Sequence, residues 1–367
     1  MAPIKSSLAK SAKQLLGLFN TADLGLRGAT QNSRFVPPPP VSATGGVTSG
    51  GIEPGNGYRY HVFVSPGNLV VSQGGEIEIF AVASGGPGGS ATQATAVGYC
   101  AGGGGGGIFY ATSYPIQPGT HPITVGATGT TPDAEMRQPG DNSTFVDANG
   151  PTTLTALGGG FGNYYGYQGI PGLLTESPQG GPGGSSGGSG YGSRPPNIQP
   201  AGQPTQNPGI ANLTNYGNQG GDIGASFGGG GGGGAGGAGD PGQPDDSGDG
   251  GVGQPFPAFA APLIAPEIPA PVRTAWTSEV GPTGLYGGGG GAGGSTNGSY
   301  PQHPAGVGGP GGGGDGADGN TTAGSPTASN GLNYTGGGAG GAGNSGSQSP
   351  KGGIGGAGLV VVRYSVG

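Results

Sequence analysis

The feature that most constrains this chain is a three-residue glycine period. Residues 233–239 (GGAGGAG), 337–343 (GGAGGAG) and 352–358 (GGIGGAG) share it, and unbroken glycine runs stand at 228–234, 287–291 and 311–314. Side chains cannot fill the interior of anything built from such segments. Glycine loses more conformational entropy on ordering than any other residue, so order requires an equally extensive set of backbone interactions. Three residues per turn is the repeat of the polyproline II helix. With glycine at two positions of three, neighbouring helices of this type can approach backbone to backbone and exchange N–H···O and weaker Cα–H···O bonds. A compact glycine sandwich is the expectation. Collagen needs glycine at every third position without interruption, and Asn320, Thr321, Thr322 and Ala323 break that pattern over too long a gap. The remaining rival is a flexible Gly/Ser linker. Against it stands the return of the chain to a strand-like segment at 359–365, which would make the linker a structureless loop of roughly 200 residues inside a folded domain.

Composition narrows the class further. The 98 glycines and 36 prolines occupy more than a third of the 367 residues, and only 31% of the chain is hydrophobic, too little for one large apolar core. Charged residues make up 8%, too few for a chain held open by its own charge. Lys5, Lys10, Lys13, Arg27 and Arg34 against Asp23 make the first 34 residues basic, while the whole chain carries a formal charge of −7, so the remainder is strongly acidic. An acidic body without a basic stripe is not expected to bind nucleic acid. Cys100 is the single cysteine, which excludes an intrachain disulfide and a cysteine metal cluster within one chain. The apolar run at 15–19 is too short for a secretory signal, and no run approaches the length of a membrane span.

Along the chain, three regions are expected. In residues 3–19, Ile4, Leu8, Ala12, Leu15 or Leu16, and Phe19 recur at intervals near four, which predicts a short amphipathic helix. Such a helix is marginal alone in water, so its apolar face needs a partner: its own domain, or a larger particle. The prolines at 37–40 followed by Gly45, Gly46, Gly50 and Gly51 read as a tether, so residues 1–56 are taken as an anchoring arm and linker. Period-two alternation then predicts strands at 58–64, 68–72, 76–82, 108–113, 122–125, 143–146, 152–157 and 359–365. These define a mainly β fold, a small jelly-roll-like β-sandwich over 57–160 closed by 355–367. Residues 161–354 are expected to form the glycine-rich polyproline II extension with interspersed loops.

The residues offer little for catalysis. His61, His121 and His303 lie far apart, two of them in predicted strands, so satisfied strand histidines are expected rather than metal ligands. Asp240, Asp245, Asp246 and Asp249 sit in a glycine-rich turn without the alternating spacing of a calcium loop and read as solvated. The glycine runs lack the lysine and hydroxyl residue of a phosphate loop, and Glu76 with Glu78 is too weak a pair for a glycosidase. No enzyme activity and no cofactor are expected. Binding fares better: Tyr164, Tyr165, Tyr167, Tyr191, Trp276, Tyr286, Tyr300 and Tyr334 concentrate between the glycine segments, where they could stack on sugars or anchor protein contacts, or else cap the glycine sandwich.

Residues 1–11 (MAPIKSSLAKS), 24–31 (LGLRGATQ) and 34–38 (RFVPP) resemble the amino-terminal arm of structural proteins of marine cyanobacterial phages. The strand running into glycines at 76–89, the segment 118–126 (PGTHPITVG) and the ending 355–364 (GGAGLVVVRY) are similar to the glycine-rich domain of the same family. In composition and period the chain also resembles the polyproline II sandwich at the tip of T-even-like phage tail-fibre adhesins, where variable loops between glycine segments meet the host receptor. The comparable segments here are 163–168, 191–197, 256–276 and 295–303, although the Pro-, Ala- and Phe-rich stretch 251–280 has no counterpart. The resemblance implies a virion protein, located at the tail, neck or capsid surface. Its arm would be anchored to other virion proteins through Ile4, Leu8, Leu15, Leu16, Phe19, Arg27 and Arg34. It would touch a host-surface protein or polysaccharide through Tyr164, Tyr165, Tyr167, Tyr191, Trp276 and Tyr300. A tail or neck fibre, assembled as a homo-oligomer without membrane insertion, is the first expectation, and a capsid decoration protein the alternative.

Overall fold

The computed structural model describes residues 40–90, 100–129, 138–150, 152–163, 180–190, 207, 209–223, 228–243, 245–294, 304–319, 327–343 and 351–366. The helix expected over 3–19, and every anchoring residue named above, lie outside the described residues.

Two five-stranded antiparallel sheets form the sandwich. One is ordered β1 (Ser42–Thr44), β3 (Gly67–Gln73), β6 (Gly119–Thr124), β7 (Ser143–Val146) and β8 (Thr153–Ala156). The other is ordered β2 (Tyr58–Phe63), β12 (Leu359–Ser365), β4 (Gly75–Val82), β5 (Ile108–Ile116) and β9 (Leu213–Tyr216). All eight predicted strands are present, within a few residues of their expected ends. Alternate residues fill the space between the sheets: Leu69, Ile77, Ile79, Phe109, Phe145, Leu154, Val360 and Val362 are all buried there.

The second sheet is buried on both faces. Its other face carries Tyr60, Val62, Phe80, Val82, Ile108, Leu359 and Val361. This explains why the closing strand reads Leu-Val-Val-Val without alternation: both orientations meet apolar surroundings. What covers that face is the stretch 254–286, which holds α1 (Ala261–Ile264) and α2 (Ala270–Val280), two 3-10 turns, and the ribbon of β10 (Gln254–Pro255) and β11 (Leu285–Tyr286). Each helix has proline in its first turn, where the missing N–H costs nothing, and α2 stops at Gly281 with φ 56°. Phe80 lies 4.8 Å from both Phe256 and Phe259 and 4.9 Å from Tyr286 between ring centroids.

These placements correct three expectations. The tether assigned to 1–56 gives way to folded chain at Ser42, which pairs with Gln73, and Ile52 bridges Tyr60. The region 161–354 is not glycine sandwich throughout, because it contributes β9 to the second sheet and a helical layer with its own apolar core. Nor is the glycine assembly confined to it: residues 83–90, 100–107 and 157–163 belong as fully as the later segments.

Glycine segments continue the strands out of one end of the sandwich. Residues 83–90 follow β4, 100–107 lead into β5, 157–163 follow β8, 287–294 follow β11 and 351–358 lead into β12. Their hydrogen bonds rotate among neighbours with period three. In the central segment, Ala101, Gly104 and Gly107 donate to Asn163, Gly160 and Leu157; Gly102 and Gly105 to Gly230 and Gly233; and Gly103 and Gly106 to Ala339 and Gly336, all at 2.7–3.2 Å. Its carbonyls accept from three further segments, through Ala83, Gly86 and Gly89, through Ser185 and Gly188, and through Gly290 and Gly293. Six neighbours thus surround one polyproline II helix, and every amide from Ala101 to Gly107 is satisfied by a backbone carbonyl. A Cβ on any of Gly102, Gly103, Gly104, Gly105 or Gly106 would fall closer than 3.0 Å to a backbone oxygen of a neighbour, so glycine is obligatory along the axis.

Candidate binding surface

The hydrogen-bond register assigns each glycine segment a height along the bundle. Gly107 adjoins β5 at the sandwich, so Cys100 marks the far end. At that height Gly89 donates to Ala101, Ala101 to Asn163, Gly188 to Gly102, Gly293 to Cys100 and Ala342 to Gly89. The chain therefore leaves and re-enters the bundle at its far end for six connections, residues 91–99, 164–179, 224–227, 295–303, 320–326 and 344–350. A seventh, 191–206, leaves there after Gly190 and returns to Asn207 at the edge of β8. The connections themselves lie outside the described residues.

This sorts the predicted contact residues. Tyr164, Tyr165 and Tyr167 belong to the connection between Asn163 and Gly180, Tyr191 follows Gly190, and Tyr300 lies between Gly294 and Pro304. Five of the six thus sit on chain that departs from one surface, a clustering that spacing in the sequence does not reveal. Trp276 is the exception and a correction. It is fully buried in α2 against the second sheet, and its Nε1–H donates to Tyr334 O at 3.0 Å. Sequence 256–276 is core rather than contact loop, because Phe256, Phe259, Ile264, Ile268 and Trp276 pack on the outer face of β4 and β12. Tyr286 is likewise buried, donating to Phe259 O at 2.7 Å, and burial raises its pKa well above the ordinary phenol value.

The rim of the far end is acidic. Asp240, Asp245, Asp246, Asp249 and Asp318 are exposed there, with Asp222 half-buried beside them and Lys351 as a described cation. Among the described residues no group of three His, Cys, Asp or Glu could hold a metal ion. Two of the aspartates are engaged with the bundle: Asp249 accepts from Val307 N–H at 2.6 Å and Asp318 from Ala305 N–H at 3.0 Å.

Titratable groups elsewhere serve the scaffold. Arg363 of β12 grips Glu78 of β4 with two bonds of 2.9 and 2.8 Å, donates to Tyr60 Oη and Ala258 O, and lies 4.2 Å over the ring of Tyr58. Burial is the largest influence and opposes its charge, but the bonds to Glu78 and Tyr60 and the nearby negative charge together outweigh it and raise the pKa. Tyr110 donates to the same carboxylate, and its pKa is raised first by burial and then by that bond. His61 donates from Nδ1 to Gly45 O at 2.9 Å, which leaves Nε2 to accept from Tyr364 Oη at 3.1 Å. Burial pushes the His61 pKa down, with Arg59 adding to the effect. His121 accepts from Ala148 N–H at Nδ1 and donates from Nε2 to Gln117 O. Both are fully buried strand histidines with satisfied rings, as the spacing suggested; His303 lies outside the described residues.

Sandwich, helical cover and backbone-packed bundle together define a glycine-rich, mainly β protein whose sandwich continues at one end into a polyproline II lattice. The chain belongs to the glycine-rich domain family, whose model matches residues 64–365, from the end of β2 to the last residue of β12. No curated protein matches it in sequence.

Proposed function

We propose that this protein is a subunit of a phage tail or neck fibre, held to other virion proteins by its N-terminal arm and meeting the host surface through the connections at the far end of the glycine bundle. The observation that carries the reading is that seven connections leave the glycine bundle at its end away from the sandwich, six of them returning there. Loops displayed from a stiff scaffold are where binding residues concentrate. The connections bear Tyr164, Tyr165, Tyr167, Tyr191 and Tyr300 among many Ser, Thr, Asn and Gln, a composition suited to stacking and neutral hydrogen bonding. The acidic rim disfavours anionic ligands, so a neutral polysaccharide or a host protein loop fits best. Ile4, Leu8, Leu15, Leu16, Phe19, Arg27 and Arg34 would supply the anchoring face, and several copies would assemble in one appendage. The role we propose is binding, and it makes no use of His61 and His121, which hold structural hydrogen bonds.

The test is labelling of intact virions with an antibody against residues 164–179, viewed by electron microscopy beside an adsorption assay. Label on an appendage together with blocked adsorption supports the fibre. Label spread over the head with normal adsorption overturns it and favours a decoration protein.

A further inference from the structure

The helix at 100–107 shows how many partners a glycine helix in this lattice takes: three neighbours receive its amides and three donate to its carbonyls. Helices on the outside lack some of these neighbours, and side chains meet the amides that would have faced them. Asp315 Oδ1 accepts from Gly308 N–H at 2.8 Å, and Asp318 Oδ1 accepts from Ala305 N–H at 3.0 Å. On another flank, Asn330 Oδ1 accepts from Ile354 N–H at 2.8 Å and Asn333 Oδ1 from Ala357 N–H at 3.1 Å. In both rows the acceptors are three residues apart and so are the amides they meet. The spacing of each row therefore matches the three-residue repeat of the segment whose amides it meets, 305–308 in the first row and 354–357 in the second. Asp315, Asp318 and Asn330 are exposed, and among the described residues no further helix lies over them.

We propose that these two side-chain rows terminate the lattice: they occupy amides on which a glycine helix of a second copy of this chain would otherwise dock. The sequence at the first row supports that choice of partner. Residues 311–319 read GGGGDGADG, so without the two aspartates they would be glycine at every position but Ala317. That is the pattern of 228–236 (GGGGGGGAG), a segment packed against the central helix with neighbours on several sides. Unpaired backbone groups along a regular element are a template for the same element from another chain, as exposed edges of β-sheets show. Here the carboxylate and carboxamide oxygens replace the missing helix.

The experiment is sedimentation velocity on the full chain carrying Asp315→Gly and Asp318→Gly, beside the wild type at equal concentration. The expected result is a weight-average mass at least twofold that of the wild type. A second variant, Asp315→Asn with Asp318→Asn, keeps both acceptor oxygens and removes both charges, and should keep the wild-type mass. The proposal is overturned if the glycine pair keeps the wild-type mass with an unchanged circular dichroism spectrum. It is also overturned if the asparagine pair associates as strongly as the glycine pair, which would make charge repulsion the cause. Should the glycine pair fail to fold, Asn330→Gly with Asn333→Gly reads the same outcome on the other row: association sustains the proposal and wild-type mass overturns it.

Discussion

The sandwich and the glycine bundle solve one problem by opposite means. Between the two sheets, Leu69, Ile79, Phe109, Phe145 and Leu154 interlock, and the backbones stand apart to make room for them. Along residues 102–107 the central helix has no side chains to interlock, and six backbones close on a seventh until each amide has an acceptor. The first core is held by removal of apolar surface from water, which is non-directional and tolerates changes of shape. The second is held by hydrogen bonds between groups that cannot be varied by mutation, at distances that leave no space for a methyl group. An interior made of backbone is therefore specified by what the side chains omit.

The comparison yields a ranking that experiment can break. The largest effect should come from Gly104→Ala, whose Cβ would meet Ser185 O and Ser186 C, backbone atoms fixed by their own lattice bonds. We expect a loss beyond the ~1–3 kcal/mol usual for overpacked side-chain cores, seen as a failure to recover folded protein or a collapse of the denaturant midpoint. A midpoint like that of the wild type would mean that the bundle can breathe. Next, Trp276→Ala removes the largest side chain under the second sheet and should cost about 3–5 kcal/mol by chemical denaturation. If Trp276 were instead a surface contact, stability would barely change.

Smaller effects should appear where the helical layer meets the bundle. Glu279 of α2 accepts from Gly311 and Gly312 N–H at 2.6 and 3.0 Å, holding the turn at 310–312. Glu279→Ala should cost about 1–2 kcal/mol and speed hydrogen exchange at those two amides, leaving exchange within the sandwich unchanged. His61 gives a pH-dependent step. Its folded pKa is depressed, so the unfolded chain takes up the proton first; stability present above about pH 6.5 is lost as pH falls toward the folded pKa and no further below it. Denaturant midpoints at pH 7.5 and 5 should therefore fall more for the wild type than for His61→Gln. Least of all, Val307→Ser should stay within about 0.5 kcal/mol, because this side chain points outward from an outer helix and is 60% exposed.

Much of the sandwich was legible because its strands announce themselves locally. The alternation at 76–82 and the apolar run at 359–362 needed only the period of a strand to be read. The strand at 213–216 was not, since Leu213, Thr214, Asn215 and Tyr216 form no alternating apolar pattern and owe their conformation to pairing with β5. The candidate surface was legible in part. Aromatic residues between glycine runs were evident, but Trp276 and Tyr164 looked alike, and the closing of the helical layer over β4 and β12 separates them. A short Pro- and Ala-rich stretch with Phe256, Phe259, Ile264, Ile268, Trp276 and Val280 does carry an apolar load, a signal that could have marked it as core.

By itself the sequence determined the period of three, the exclusion of side chains from the glycine-packed interior, and most strands of the sandwich, including the one that closes it. These follow from local rules: glycine permits close approach, and alternation demands a half-buried sheet. Only the tertiary structure decided which backbone faces which, that the helical layer is core, and that separate connections depart from one end. Hydrogen bonds between glycine helices join residues as far apart as Gly85 and Gly356, and no local preference chooses among glycine segments that are chemically the same; their neighbours are fixed by the strands to which each is attached.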